Sequence, residues 1–157
     1  MFKTFLRYSN PMTTFDNIFG SDILLDEDRQ AIVAANGELV WCDGLTAAVQ
    51  DIKLRVFTYL KGLFYDQEFG STIPDYIHEE NTKSNRLSLN AEVQRRVEMD
   101  SRVLAGSVTS KILKWDENGI MIEVCWTFWD SEEPQNITLT LKRPAKDRLL
   151  EDINAAD

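Results

Sequence analysis

Histidine is nearly missing from this 157-residue chain: His78 is the sole copy. A two-histidine metal site or a proton relay through several imidazoles therefore cannot be built from one chain. Cysteine is almost as scarce, and Cys42 and Cys125 lie far apart with no CxxC or CxxH pairing, so neither a zinc site nor a disulfide framework is signalled. Basic charge is also short, 17 Lys and Arg against 26 Asp and Glu for a net charge of -9. A phosphate-binding surface is normally basic, so nucleic acid is not an expected partner. The local cluster Lys142, Arg143, Lys146 and Arg148 reads as a solvated tail segment. No apolar run approaches a membrane span, and polar residues interrupt Phe2, Phe5 and Leu6 before a signal-peptide core can form. The expectation is a cytoplasmic product with no membrane partner.

What is present suits one globular domain: 43% hydrophobic and 27% charged residues. A chain of this size buries roughly 68–70% of its extended surface and needs no disulfide or metal staple. Residues 1–20 mix Phe2, Phe5, Phe15 and Phe19 with Asn10-Pro11 and show neither helical nor strand period, so they read as an arm before a single domain over 21–157. Short apolar stretches at 30–35 and 38–41 flank Asn36-Gly37, a dipeptide suited to the two positive-φ positions of a tight hairpin.

Leu45, Ala48, Val49, Ile52, Val56, Tyr59 and Leu60 recur at three- and four-residue steps, predicting a helix over 45–60 with Asp43 as cap and Gly62 as left-handed terminator. Leu89, Val93 and Val97 predict a second helix over 89–99 with Ser88 as cap, after a polar connector over 79–86. The last third changes period. Ile120, Ile122, Val124, Trp126 and Phe128 alternate with mixed residues, preceded by a strand over 108–115 and the turn Asp116-Glu117-Asn118-Gly119, and followed by a strand over 136–141. Pro144 ends it, and 146–153 reads as a short terminal helix or a frayed tail. The fold class is α+β: two main helices packed on a small antiparallel β-meander, with an N-terminal arm and a small N-terminal hairpin.

Chemistry finds little purchase. His78-Glu79-Glu80 offers ligand atoms, but adjacent residues diverge on regular backbone. Asp22, Asp26, Glu27 and Asp28 resemble a calcium loop, yet the required glycine and the closing glutamate are absent. There is no GxxxxGK[ST], GxGxxG or GxSxG, hence no phosphate cradle or nucleophile elbow. Abundant acids always contain some pair that fits a glycosidase cleft, but no spacing marks an acid held protonated beside an ionised partner. Asn136-Ile137-Thr138 matches the glycosylation triplet on a predicted strand. Trp41, Trp115, Trp126 and Trp129 read as core and rim packing, with Trp115 and Trp129 the more exposed pair. The chain is expected to be no enzyme, with no cofactor and no metal.

One block carries more. Residues 43–52 (Asp-Gly-Leu-Thr-Ala-Ala-Val-Gln-Asp-Ile), then Arg55-Val56-Phe57-Thr58, Gly62, Asp66 and Phe69-Gly70 resemble the wedge or sheath-initiator family of contractile phage baseplates. That family has a glycine-led helix, an Arg-Leu-x-Thr step and an aromatic-Gly turn; here Val56 replaces leucine and Phe69 replaces tyrosine. Where the family carries Glu-Pro-Arg, this chain has Asp100-Ser101-Arg102, keeping the arginine, shortening the acid and losing the proline. Some relatives carry a lysozyme label, which the missing catalytic constellation leaves unsupported.

The resemblance implies a structural subunit of the virion tail baseplate, in sixfold arrangement, that contacts other baseplate wedge subunits and starts polymerisation of the tail sheath protein. A meander with free outer strands suits that task, because unpaired backbone groups accept strands from elsewhere. Asn136, Thr138 and Thr140 are the expected strand-accepting residues, and Asp100, Ser101 and Arg102 the expected contact loop, with Arg102 able to bind a partner or to pair with Asp100. The alternative is a tail-associated, lysozyme-like cell-wall glycosidase.

Overall fold

The computed structural model describes residues 19–143. The expected arm over 1–20 and the expected terminal helix or tail over 146–153 lie almost wholly and wholly, respectively, outside these residues. The class is α+β, with a two-stranded and a three-stranded antiparallel sheet. The described residues divide into two compact units, the first ending at Ile52 and the second beginning at Lys53.

In the first unit, β1 (Ser21–Ile23) pairs with β2 (Trp41–Asp43). Between them the chain folds back twice. Leu24 N–H donates to the Val40 carbonyl, Val40 N–H to Ile32 and Ile32 N–H to Leu24, which ties three short segments together. The expected hairpin forms, but its turn differs. Gly37 has φ 86 while Asn36 stays at negative φ; Gly37 N–H donates to the Ala34 carbonyl, and Ala34 N–H to Glu38. This is the three-residue loop with one left-handed glycine, not the two-residue loop that needs positive φ twice. The acidic stretch makes a second turn: Asp26 Oδ1 accepts the N–H groups of Asp28 and Gln30, and Arg29 takes φ 63.

Helix α1 (Gly44–Phe57) begins as expected and buries Ala48, Ile52 and Val56. It stops earlier than its periodicity suggests. Ser71 takes over the ending: its N–H donates to the Thr58 carbonyl, its Oγ to Val56, and its own carbonyl accepts Leu60 N–H. The terminal carbonyls are thus satisfied from a later segment, an arrangement local spacing cannot announce. The left-handed residue is Lys61 at φ 65, not Gly62, whose missing side chain instead clears the Tyr59 carbonyl.

A 3-10 helix over Ile73–His78 leads into α2 (Lys83–Glu98). Thr82, not Ser88, caps α2 by accepting Asn85 N–H, so the helix starts inside the stretch read as connector. Its apolar stripe is the expected one: Leu89, Val93 and Val97 are all fully buried.

Strands β3 (Thr109–Asp116), β4 (Gly119–Thr127) and β5 (Pro134–Lys142) form the meander, with β4 central. Registered partners share a face, so Ile112, Ile122 and Leu139 align, as do Val124 and Ile137, and Ile120 and Leu141. Helix α2 neighbours β3, and Ser110 Oγ donates to Asn90 Oδ1. The register of β3 slips between Ile112 and Lys114, leaving Leu113 as an extra residue. Past this bulge the alternation reverses, so Trp115 pairs with Ile120 and is buried while Leu113 is exposed. The exposed tryptophans are Trp41 and Trp129, which corrects the expectation for Trp115.

Candidate functional site

The residues expected to accept a partner strand lie on β5, a sheet edge that pairs only with β4 among the described residues. The phase of the ladder can be read from one bond just past it: Arg143 N–H donates to the Asn118 carbonyl. That bond flanks the Gly119–Lys142 pair and makes it non-hydrogen-bonded. The register to β4 runs without a slip, so Met121–Thr140, Glu123–Thr138 and Cys125–Asn136 are of the same type by alternation. In such pairs both backbone groups of a residue point away from the partner strand. The N–H and C=O of Asn136, Thr138 and Thr140 are therefore the ones directed off the outer rim, while those of Ile137, Leu139 and Leu141 close the ladder to β4. The side chains of the first three are exposed and those of the second three are buried. Asn136 Nδ2 donates to Glu123 Oε1 across the open face. At the turn from β3 into β4, Gly119 has no room for a side chain: a Cβ there would meet the Leu141 carbonyl oxygen of β5.

The loop of Asp100, Ser101 and Arg102 lies elsewhere. Val103 bridges Phe128, Leu104 N–H donates to the Thr127 carbonyl, and Trp129 N–H donates to Arg102. Thr127 is already paired with Pro134 on its β5 side, so this segment extends the β3 side of β4. The two sets of predicted residues thus sit on opposite edges of one sheet. Asp100 is 6% exposed, and Arg102 donates to it from its backbone N–H, from Nε at 2.9 Å and from Nη2 at 2.6 Å. Burial works against the Asp100 charge, but those bonds and the charges of Arg102 and Arg55 outweigh it and hold the carboxyl below its ordinary range. Ser101 is exposed.

Several residues of the resembling block turn out to be clips. Gln50 Oε1 accepts Leu25 N–H, and its Nε2 donates to the Ile23 carbonyl and to Asp22, which fastens β1 to the start of α1. The Arg55 guanidinium stacks 4.9 Å over the Phe69 ring. Asp66 Oδ1 accepts Phe69 N–H, and Gly70, at φ 106, lies so close to the Thr58 and Tyr59 carbonyls that a Cβ would stand 2.7 Å from each. Sequence reasoning missed a second buried pair: Arg96, 4% exposed, donates from Nε to Glu92 Oε1 at 2.7 Å and reaches the Glu68 carbonyl. Burial opposes the charge of Glu92, yet Arg96, Arg95 and the Thr72 N–H together lower its pKa. Only the i to i+4 spacing of Glu92 and Arg96 hinted at it.

The alternative reading is a hydrolytic one. The carboxyl groups with a displaced pKa, Glu92, Asp100 and Asp116, all move downward, the last through the Lys114 ammonium and turn N–H groups. A glycosidase acid needs displacement upward. Around His78 there is a shallow, open depression lined by Glu79, Asn81, Trp115, Glu117 and Arg143. Its polar groups serve the fold: Arg143 Nε donates to the Ile77 carbonyl and Asn81 Nδ2 to Trp115. Among the described residues no group of His, Cys, Asp and Glu is placed to hold a metal ion, and no helix is long and apolar enough to cross a membrane.

Solved structures share this architecture. A tail-lysozyme candidate from Geobacter sulfurreducens matches with a TM-score of 0.52 at 15% identity, over 62% of this chain and 88% of its own. A chain of the anti-feeding prophage baseplate, seen by cryo-electron microscopy with sixfold symmetry imposed, matches with a TM-score of 0.52 at 11% identity, over 87% of this chain and 97% of its own. At these identities the likeness is one of fold. No curated protein sequence matches the chain. The model of the contractile injection system sheath initiators matches residues 21–128, more than half of the sequence and including the block from Asp43 to Gly70, and the chain belongs to that family.

Proposed function

We propose that the protein is a structural subunit of the baseplate wedge of a contractile injection machine, and that it starts sheath assembly by accepting a strand of sheath protein along β5. The reading draws on family membership, and its place in a baseplate on the fold shared with the anti-feeding prophage chain. One observation carries it: Asn136, Thr138 and Thr140 turn their backbone groups off the rim of a strand that has no second neighbour among the described residues. Such a rim supplies affinity through main-chain hydrogen bonds, and alternate side chains supply specificity. The same reading gives the subunit sixfold copies around the tube and assigns the loop of Asp100, Ser101 and Arg102 to contacts with neighbouring wedge subunits.

Thr138→Pro tests the strand-accepting step. Proline removes an outward donor while the β4 ladder keeps its bonds. Particles assembled with this variant should lack sheath, while its melting temperature stays close to the parent's. Normal sheath on Thr138→Pro particles sinks the reading. Arg102→Ala is a poorer probe, because it strands a buried Asp100 carboxylate and lowers stability along with any contact.

A further inference from the structure

The hairpin carries an apolar row that strand acceptance at β5 does not use. Val33 and Leu39 oppose each other in an antiparallel bridge. The bonds from Ala34 N–H to Glu38 and from Val40 N–H to Ile32 flank them, so they form a non-hydrogen-bonded pair, the type in which facing side chains stand closest. Trp41 lies two residues beyond Leu39 on the same side of the strand. These three residues are 58%, 44% and 63% exposed, a contiguous apolar strip on an element of few residues. Large exposed patches of this kind mark interaction sites, and a tryptophan flanked by aliphatic residues is the usual form of an energetic anchor.

Charge decides what fits. Over residues 19–43, Asp22, Asp26, Glu27, Asp28, Glu38 and Asp43 stand against Arg29 alone. Asp43 continues the row of Leu39 and Trp41 along the strand. Burial pushes the Cys42 thiol up, and the carboxylates of Asp22, Asp43 and Asp51 add to it, so the negative field reaches the root of the hairpin. A second copy of this chain would bring like charge to like charge, as would an anionic lipid surface.

We infer that the strip of Val33, Leu39 and Trp41 is a docking surface for a segment of another protein whose apolar side chains are framed by Lys or Arg. The inference stands apart from the strand-accepting role, sharing no residue with β5, and it is tested on the purified full-length chain without any particle. The probes are two labelled ten-residue peptides, one alternating Leu and Lys and one alternating Leu and Glu, titrated by fluorescence anisotropy. The Leu–Lys peptide should bind, more weakly as salt rises, and the Leu–Glu peptide should not. Trp41→Ser should weaken binding by about tenfold or more. Leu39→Ser serves as a second variant if Trp41→Ser loses its circular dichroism, and Phe64→Ser, which removes an exposed aromatic outside the strip, should bind like the parent. Equal binding by the folded strip variants, an equal loss in Phe64→Ser, or self-association abolished by Trp41→Ser would each overturn the inference.

Discussion

The two edges of the meander differ in almost every feature that governs strand pairing. Strand β3 is interrupted by the Leu113 bulge, carries exposed Lys111 and Lys114, and is bonded to α2 through Ser110 and Asn90. Bulges, lysines and covering elements are the devices by which sheet edges are closed to strangers. Strand β5 neighbours the 3-10 helix but has neither a bulge nor a lysine between Gln135 and Leu141; its register is continuous and its outward side chains are Asn136, Thr138 and Thr140. Pro134 and Lys142 stand only at its ends. One edge of a single sheet is guarded and the other is left smooth, which is the asymmetry expected of an edge meant to be extended.

The most severe test of that contrast is Trp115→Ala. The bulge is what brings Trp115 onto the core face opposite Ile120, and losing its buried side chain should cost about 3–5 kcal/mol in urea unfolding. A Trp115→Ala variant as stable as the parent would mean that the bulge does not deliver Trp115 to the core. Next comes Asp100→Asn, which unties the segment extending the β3 side of β4 and should cost about 1.5–3 kcal/mol. Its pH dependence has a fixed sign. Asp100 and Glu92 bind protons more weakly in the folded state, so their contribution is complete above the ordinary carboxylate range near ~4 and is lost as pH falls through their lowered values. The acid limb of a stability-against-pH curve should therefore be shallower in Asp100→Asn.

Within β5 itself, Ile137→Pro and Thr138→Pro should separate. Ile137 donates inward, so its proline variant leaves an unmade ladder bond and should lose roughly 1–3 kcal/mol, whereas Thr138→Pro should lose less. Equal losses would show that the ladder phase is misassigned. The smallest effect belongs to the pair Lys111→Thr and Lys114→Thr: stability should move by less than about 0.5 kcal/mol, while light scattering should reveal new self-association through the unguarded β3 edge.

Much of this was legible beforehand where one rule acts alone. The alternation from Ile120 to Phe128 gave the central strand, and the four-residue spacing of Leu89, Val93 and Val97 gave the buried face of α2. Failures came where a distant group decides a local outcome. Ser71 ends α1 from beyond the following loop, and Leu113 inverts β3 without a glycine or proline to mark it. The start of α2 was hidden because Lys83, Ser84, Asn85 and Arg86 lack an apolar period, although Thr82 was a good cap. At the candidate site, Thr138 and Thr140 were recognised as outward side chains, but that their backbone groups also face outward follows from ladder phase, which no sequence displays. Arg102 offered two readings, a partner or Asp100, and its pairing with Asp100 adds the internal contact without excluding the first.

Residue-resolved amide hydrogen exchange on β5 addresses the smooth edge most directly. In the isolated protein the amides of Thr138 and Thr140 should exchange fast while those of Ile137 and Leu139 exchange slowly, and in sheathed particles Thr138 and Thr140 should become protected. Protection of Thr138 and Thr140 already in the isolated chain, or their continued fast exchange in sheathed particles, would contradict the account.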